Sequence, residues 1–177
     1  MTQREIRDAL AGAVDFLTRH PADARYTDSP ATARLADPEG LRVNVSGPNG
    51  ATLSTDMPTS VGGTDSGASP GWYLRAAEAS CVATLIAMRA AHEGVSLDGL
   101  EVTVDSESDD RGILGMSEEV PAGPLRTTVR VNVHARPIDD DDDGIWSTIV
   151  NWAVEHCPVT DAVRRAVPMT VEVTVHE

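Results

Sequence analysis

The stretch "SPGWYLRAAEASCVATLIAMRAAHEG", residues 69–94, constrains this chain more than any other. Ser69 suits the cap of a helix, Pro70 suits its first position, and Gly94 supplies the left-handed residue that ends one. The spacing predicts a helix over 70–93, with Ala77, Cys81, Leu85, Met88 and His92 along one stripe. A helix this apolar has to be covered by other elements. A chain of 177 residues is long enough for one domain to do so.

The covering elements can be read on either side. Ile6, Leu10, Val14 and Leu17 recur at three- and four-residue steps and predict an amphipathic helix over 3–19. Two turn signals, Asp37-Pro38-Glu39-Gly40 and Pro48-Asn49-Gly50, divide the next stretch into strands near 31–36, 41–46 and 51–55. In the second of these, Leu41, Val43 and Val45 share one face, and Arg42, Asn44 and Ser46 the other. "LEVTVDSES" and "TTVRVNVHA" alternate in the same way and should be antiparallel neighbours with one wet face. A second long helix comes after the aspartates at 139–143, which complement its N-terminal dipole. Ile145, Ile149, Trp152 and His156 form its stripe, and Pro158 forces its end at Cys157. One or two short turns over 160–167 and a final strand "MTVEVTV" complete an α+β chain.

Charge narrows the partners. Arginine and lysine total 14 against 28 carboxylates, a net charge of −14, and every basic residue is arginine. Nucleic acid and anionic membrane surfaces both need a basic face, so neither is expected. The N-terminal segment mixes charges of both signs without a long apolar run, which reads as neither leader nor membrane span and implies a cytoplasmic address. "SVGGTDSGASP" is glycine-rich but lacks both the lysine of a phosphate loop and the spacing of a dinucleotide fingerprint.

Cys81 and Cys157 are the two cysteines. In a reducing compartment a bond between them would be transient and catalytic rather than a permanent staple. Buried cysteine is also an ordinary core residue, so either role is open for Cys81. Locally nothing lowers either pKa: Arg75 lies on another face from Cys81, Glu78 is three residues before it, and Cys157 sits at a helix C-terminus, which disfavours a thiolate. An activating cation has to be brought in by the fold. Two cysteines and five scattered histidines, without metal-ligand spacings, make a zinc site a poor reading, and the adjacent His156-Cys157 does not supply one.

Three strings taken together, "GGTDSGASPGWYLRAAEASCVATL", "LEVTVDSESDDRGILGM" and "VNWAVEHCPVTDAVRRAVPMTVEV", resemble the OsmC-like family, which includes the organic hydroperoxide resistance proteins. Two features carry the resemblance: a Ser-Pro whose proline lies eleven residues before the first cysteine, and a Cys-Pro-Val-Thr after the second long helix. The likeness spans roughly residues 30–175, giving an N-terminal helix and linker over 1–29 and an OsmC-like domain over 30–177. It implies an antiparallel sheet wrapped around two long central helices in an intertwined homodimer, with sites at the subunit interface.

Carried over by residue, Cys81 is the peroxidatic thiol and Cys157 the resolving thiol. Arg42 is the better match for the activating arginine and Arg34 the second. The implied activity is reduction of organic hydroperoxides through a Cys81 sulfenic acid, with an external thiol or dithiol as reductant and neither bound cofactor nor metal. The sequence departs from the pattern where the family's peroxidases carry a glutamate beside the proline. Here Gly71 and Trp72 come directly after Pro70. That departure favours a rival reading, a non-enzymatic homodimer of the same fold whose interface binds an apolar or thiol-bearing small molecule.

Overall fold

The computed structural model describes residues 1–135 and 142–176. In chain order the elements are α1 (Gln3–Arg19), β1 (Thr32–Leu35), β2 (Val43–Ser46), β3 (Thr52–Thr55), α2 (Pro70–Glu93), β4 (Gly99–Glu107), α3 (Asp110–Ile113), β5 (Arg126–His134), α4 (Asp142–His156) and α5 (Pro158–Arg164). Asp139–Asp141, the first three of the acidic run, lie outside the described residues.

The ends of α2 are set by its sequence. Ser69 Oγ accepts the Trp72 N–H at 3.2 Å, and Gly94 closes the helix at φ 74°, its N–H bonded to Ala90 and Ala91. Val82, Ile86 and Ala90 of α2 meet Ile149 and Ala153 of α4 and Cys157 just beyond it, all at 0% exposure. Both series advance by four residues, so one flank of each helix forms a continuous seam. Burying Val82, Ile86 and Ile149 contributes about 1.5–3 kcal/mol each. The expected stripe through Ala77, Cys81, Leu85, Met88 and His92 is therefore displaced by one position. Cys81, Leu85 and Met88 are half-buried beside the seam, while Ala77 and His92 are exposed. An α2 that is apolar on most sides gives periodicity little to choose between adjacent stripes.

Arg89 fixes the far end of the same pair. Its guanidinium lies 4.9 Å from the Trp152 ring of α4 and 2.6 Å from Glu93. β4 and β5 pair antiparallel from Gly99↔His134 to Glu107↔Arg126. Their inner face (Leu100, Val102, Val129, Val131) packs on the seam. The outer face is polar, with Arg126 bonded to Glu107 at 2.7 Å and Arg130 to Asp105.

Two departures concern the strands. The described residues form two small antiparallel sheets, β1-β2-β3 and β4-β5, rather than one. The expected final strand does not pair: residues 166–176 carry no regular structure, and Met169, Val171, Val173 and Val175 are 85%, 74%, 80% and 84% exposed. Alternating valines favour an extended segment, but among the described residues no neighbouring strand is offered to it. β1–β3 is covered unevenly across one face, with Leu35 on β1 at 56% exposure and Thr55 on β3 at 8%. α1 is capped by Thr2 and Glu5 and runs along α2, where Ile6 and Leu10 line an open groove together with Ala87 and Met88, while Val14 and Leu17 are exposed.

The glycine-rich loop before α2 is organised by a single carboxylate. Asp56, 2% exposed, accepts from the Thr64 hydroxyl at 2.6 Å, from the Ser66 hydroxyl at 2.8 Å and N–H at 3.0 Å, and from the Met57 N–H at 2.8 Å. Gly63 passes so close to this knot that a Cβ there would stand 1.8 Å from the Met57 carbonyl oxygen. The Thr64 hydroxyl, then the Ser66 donors, hold the Asp56 carboxyl far below its ordinary 3.8. A depressed folded value gives stability that is complete above the unfolded value and is lost as pH falls toward the folded one. Asp56→Asn should therefore lower the melting temperature most near neutral pH, with the gap to wild type narrowing below about pH 4. Thermal melts across that range check this, and a gap independent of pH would contradict it.

Candidate active site

Pro158 ends α4, yet the same proline starts α5, and this double role sets the chemistry of Cys157. Cys157 becomes the N-cap of α5, with φ −73° and ψ 116°, and its Sγ accepts the Thr160 N–H at 3.4 Å. The expected penalty on a Cys157 thiolate from a helix C-terminus is thus corrected. Unpaired N–H groups of the next helix face the sulfur instead.

The seam carries Cys81 to the same place. The two thiols are free and lie close enough for each to shift the ionisation of the other, and the Val159 N–H acts on both. Burial pushes the Cys81 thiol up from its ordinary value, and the neighbouring Cys157 sulfur adds to this. Burial also works against a Cys157 thiolate, but Thr160, the Cys81 thiol and Val159 together outweigh it, so Cys157 moves down. The two thiols titrate as a coupled pair, with Cys157 the one moved toward ionisation.

Glu78 belongs to this cluster. It is 2% exposed and lies at the head of the buried series Glu78, Val82, Ile86, Ala90. Its Oε1 accepts the Thr160 hydroxyl at 3.3 Å. The sequence presents Glu78 only as a negative neighbour of Cys81. The signal available was its place four residues before Val82, a charged side chain on what the fold makes a core stripe. Thr160 was equally legible as the third residue after an N-capping cysteine.

A cavity of about 450 Å³ opens onto Glu78. Met57, Leu74 and Ile113 give it apolar walls, and Arg75 reaches across one side to Ser106 Oγ at 3.2 Å. Gly71 lines it two turns before Glu78, so the position that lacks the family's carboxylate faces the same space. Asp109 at its rim is gripped by Arg111, which holds its carboxyl down to about 2. Neither cysteine is part of the cavity wall.

The chain brings Cys81 and Cys157 together but does not bring either candidate arginine to them. Arg42 is exposed just ahead of β2, its carbonyl accepting from Ala36 N–H at 2.9 Å, and Arg34 is exposed on β1. His156 is engaged elsewhere, its Nδ1 2.8 Å from the Trp152 carbonyl and its ring stacked on Trp152. Among the described residues no cluster of three or more His, Cys, Asp or Glu side chains could hold a metal ion, and no helix is long and apolar enough to cross a membrane.

Paired helices carrying two neighbouring thiols, backed by an antiparallel sheet, define a class of α+β protein, and comparison identifies which. The profile of the OsmC-like protein family matches residues 63–172, and the chain belongs to that family. No curated protein matches the sequence. The fold is similar to that of an organic hydroperoxide resistance protein from Legionella pneumophila, at 21% identity and TM-score 0.56, covering 78% of this chain and 90% of that one. A second, from Elizabethkingia anophelis with thiocyanate bound, gives 18% identity and TM-score 0.59 over 79% and 90% of the two chains. An OsmC-like protein from Mycoplasma pneumoniae gives 13% identity and TM-score 0.64 over 79% and 89%.

Coupled titration makes a prediction. Cys81→Ala removes one of the groups that favour a Cys157 thiolate and should raise the value at which Cys157 ionises. Cys157→Ala removes the neighbour that opposes a Cys81 thiolate and should lower that of Cys81. Thiolate absorbance measured against pH in the two variants checks both signs, and unchanged titrations would mean the sulfurs do not interact.

Proposed function

We propose that this protein is a thiol-dependent peroxidase that reduces organic hydroperoxides, with Cys81 forming the sulfenic acid and Cys157 resolving it to a disulfide. The proximity of two free thiols within an OsmC-like fold supports the reading. Two of the structural relatives being organic hydroperoxide resistance proteins supports the substrate class. Cys81 takes the peroxidatic role because it is the less buried of the two, and Cys157, at 0% exposure, is reached only through its partner thiol. Attack requires a Cys81 thiolate, which forms when its proton passes to the Cys157 sulfur beside it. The thiolate displaces alkoxide from the peroxide, the alkoxide takes a proton and leaves as alcohol, and Cys157 then condenses with the sulfenic acid, releasing water. Two electrons from an external thiol or dithiol restore the pair.

We further propose that the working unit is a homodimer, in which a second copy supplies the activating Arg42 and covers what one chain leaves open. The exposed Leu35 of β1 and the unpaired valines at 171, 173 and 175 support this. Sedimentation at micromolar concentration should give the dimer, and a stable monomer would contradict it. The rival, a binding protein without turnover, draws support from one observation: the apolar-walled cavity has neither cysteine in its wall.

Stopped-flow loss of thiols with cumene hydroperoxide separates the two readings. The peroxidase reading expects rapid consumption of one peroxide per pair, abolished in Cys81→Ala, arrested at the sulfenic acid in Cys157→Ala, and slowed about tenfold or more in Arg42→Ala. Thiols in the wild type that react no faster than free cysteine would give the protein to the binding reading.

A further inference from the structure

Cys157 has a difficulty of its own once Cys81 is oxidised. To attack the sulfenic sulfur it has to give up a proton, including the one it receives when Cys81 is activated. At 0% exposure its sulfur is out of reach of bulk water as a proton acceptor. The contacts lead elsewhere. Thr160 joins the two groups: its N–H donates to the Cys157 sulfur at 3.4 Å, its hydroxyl stands beside the same sulfur, and that hydroxyl donates to Glu78 Oε1 at 3.3 Å. A hydroxyl placed this way can accept one proton while it passes on its own. Glu78 is buried at 2% exposure and borders the cavity through which small species can leave.

We infer that Glu78 is the positioning residue of the disulfide-forming step, receiving the Cys157 proton through the Thr160 hydroxyl. The inference rests on the peroxidase reading and assigns that site a residue outside the cysteine pair. The step balances. The Cys157 S–H bond breaks and its proton moves through the Thr160 oxygen to the Glu78 carboxylate. The Cys157 sulfur lone pair forms the S–S bond as the Cys81 S–O bond breaks. The hydroxide released takes the proton from Glu78 and leaves as water, returning the carboxylate. Cys81 sulfenic acid is the oxidant, reduced to the level of a disulfide as the Cys157 thiol is oxidised to it. The other charged groups around Glu78 are Arg75 on its own helix, with Asp109 and Asp110 from the loop and α3 across the cavity. Asp109 is neutralised by Arg111, and Arg75 is turned to Ser106, so neither is aimed at Thr160.

The test oxidises reduced protein with one equivalent of cumene hydroperoxide. Sulfenic acid is measured by dimedone adduct mass and disulfide by loss of the second thiol, at several pH values. Glu78→Gln keeps the shape of the side chain. It should still form sulfenic acid but, timed from that intermediate, close the disulfide about tenfold more slowly or worse, with the acid limb of the pH profile lost. Thr160→Val should do the same, while Thr160→Ser, which keeps the hydroxyl, should restore the rate. The threonine pair keeps the question decidable if Glu78→Gln does not fold, because both leave the Thr160 backbone N–H in place. A Glu78→Gln or Thr160→Val protein that closes its disulfide at the wild-type rate with the wild-type pH profile overturns the inference alone. A wild type that forms no sulfenic acid overturns the peroxidase reading and this inference with it.

Discussion

The rest of the structure depends on the close approach of α2 and α4. Among the described residues, every hydrophobic side chain at 0% exposure sits on that seam, and small residues at Ala90 and Ala153 let the helices meet. The β4–β5 sheet packs over the pair, and α1 packs along α2. The seam also determines the chemistry, because Cys157 is its last residue and Cys81 lies one position to the side of Val82. A four-residue advance on each helix, continued to the point where Pro158 breaks α4, leaves two free thiols side by side.

The residues after Pro158 matter as much as those before it. Had α4 simply ended in a loop, a buried Cys157 would have been pushed toward the inert thiol by desolvation and by the helix end. Starting α5 at once turns its first N–H groups onto the sulfur and brings Thr160 between Cys157 and Glu78. A Cys-Pro-Val-Thr string thus encodes a helix stop, a helix start and an electrostatic environment together.

Much of this could be read in the sequence. Ser69, Pro70 and Gly94 give the limits of α2, and the two turn signals give β1–β3 within one or two residues. The OsmC-like frame is legible in three strings. The features that stayed hidden depend on tertiary partners. The seam falls one position from the expected stripe, since α4 rather than periodicity decides which flank of an apolar helix is covered. The segment 169–175 has the alternation of a strand, yet a strand exists only where an edge is offered, and the described residues of one chain offer none. Arg42 lies beside a turn and is exposed, and within one chain it is not among the groups that act on either thiol. The pairing of Glu78 with Thr160 is not visible in the sequence, because neither the helix pattern nor the N-cap shows its meaning until the other is in place across a separation of 82 residues.

The central claim is that the native fold holds Cys81 and Cys157 of one chain ready to bond. Peptide mapping of protein oxidised with one equivalent of organic hydroperoxide, unfolded only after residual thiols are blocked, tests it most directly. The account predicts a single Cys81–Cys157 disulfide within the chain, with the oxidised protein running as a monomer on a non-reducing denaturing gel. Disulfides joining separate chains, or oxidation of Cys81 to sulfinic acid while Cys157 remains a free thiol, would contradict it.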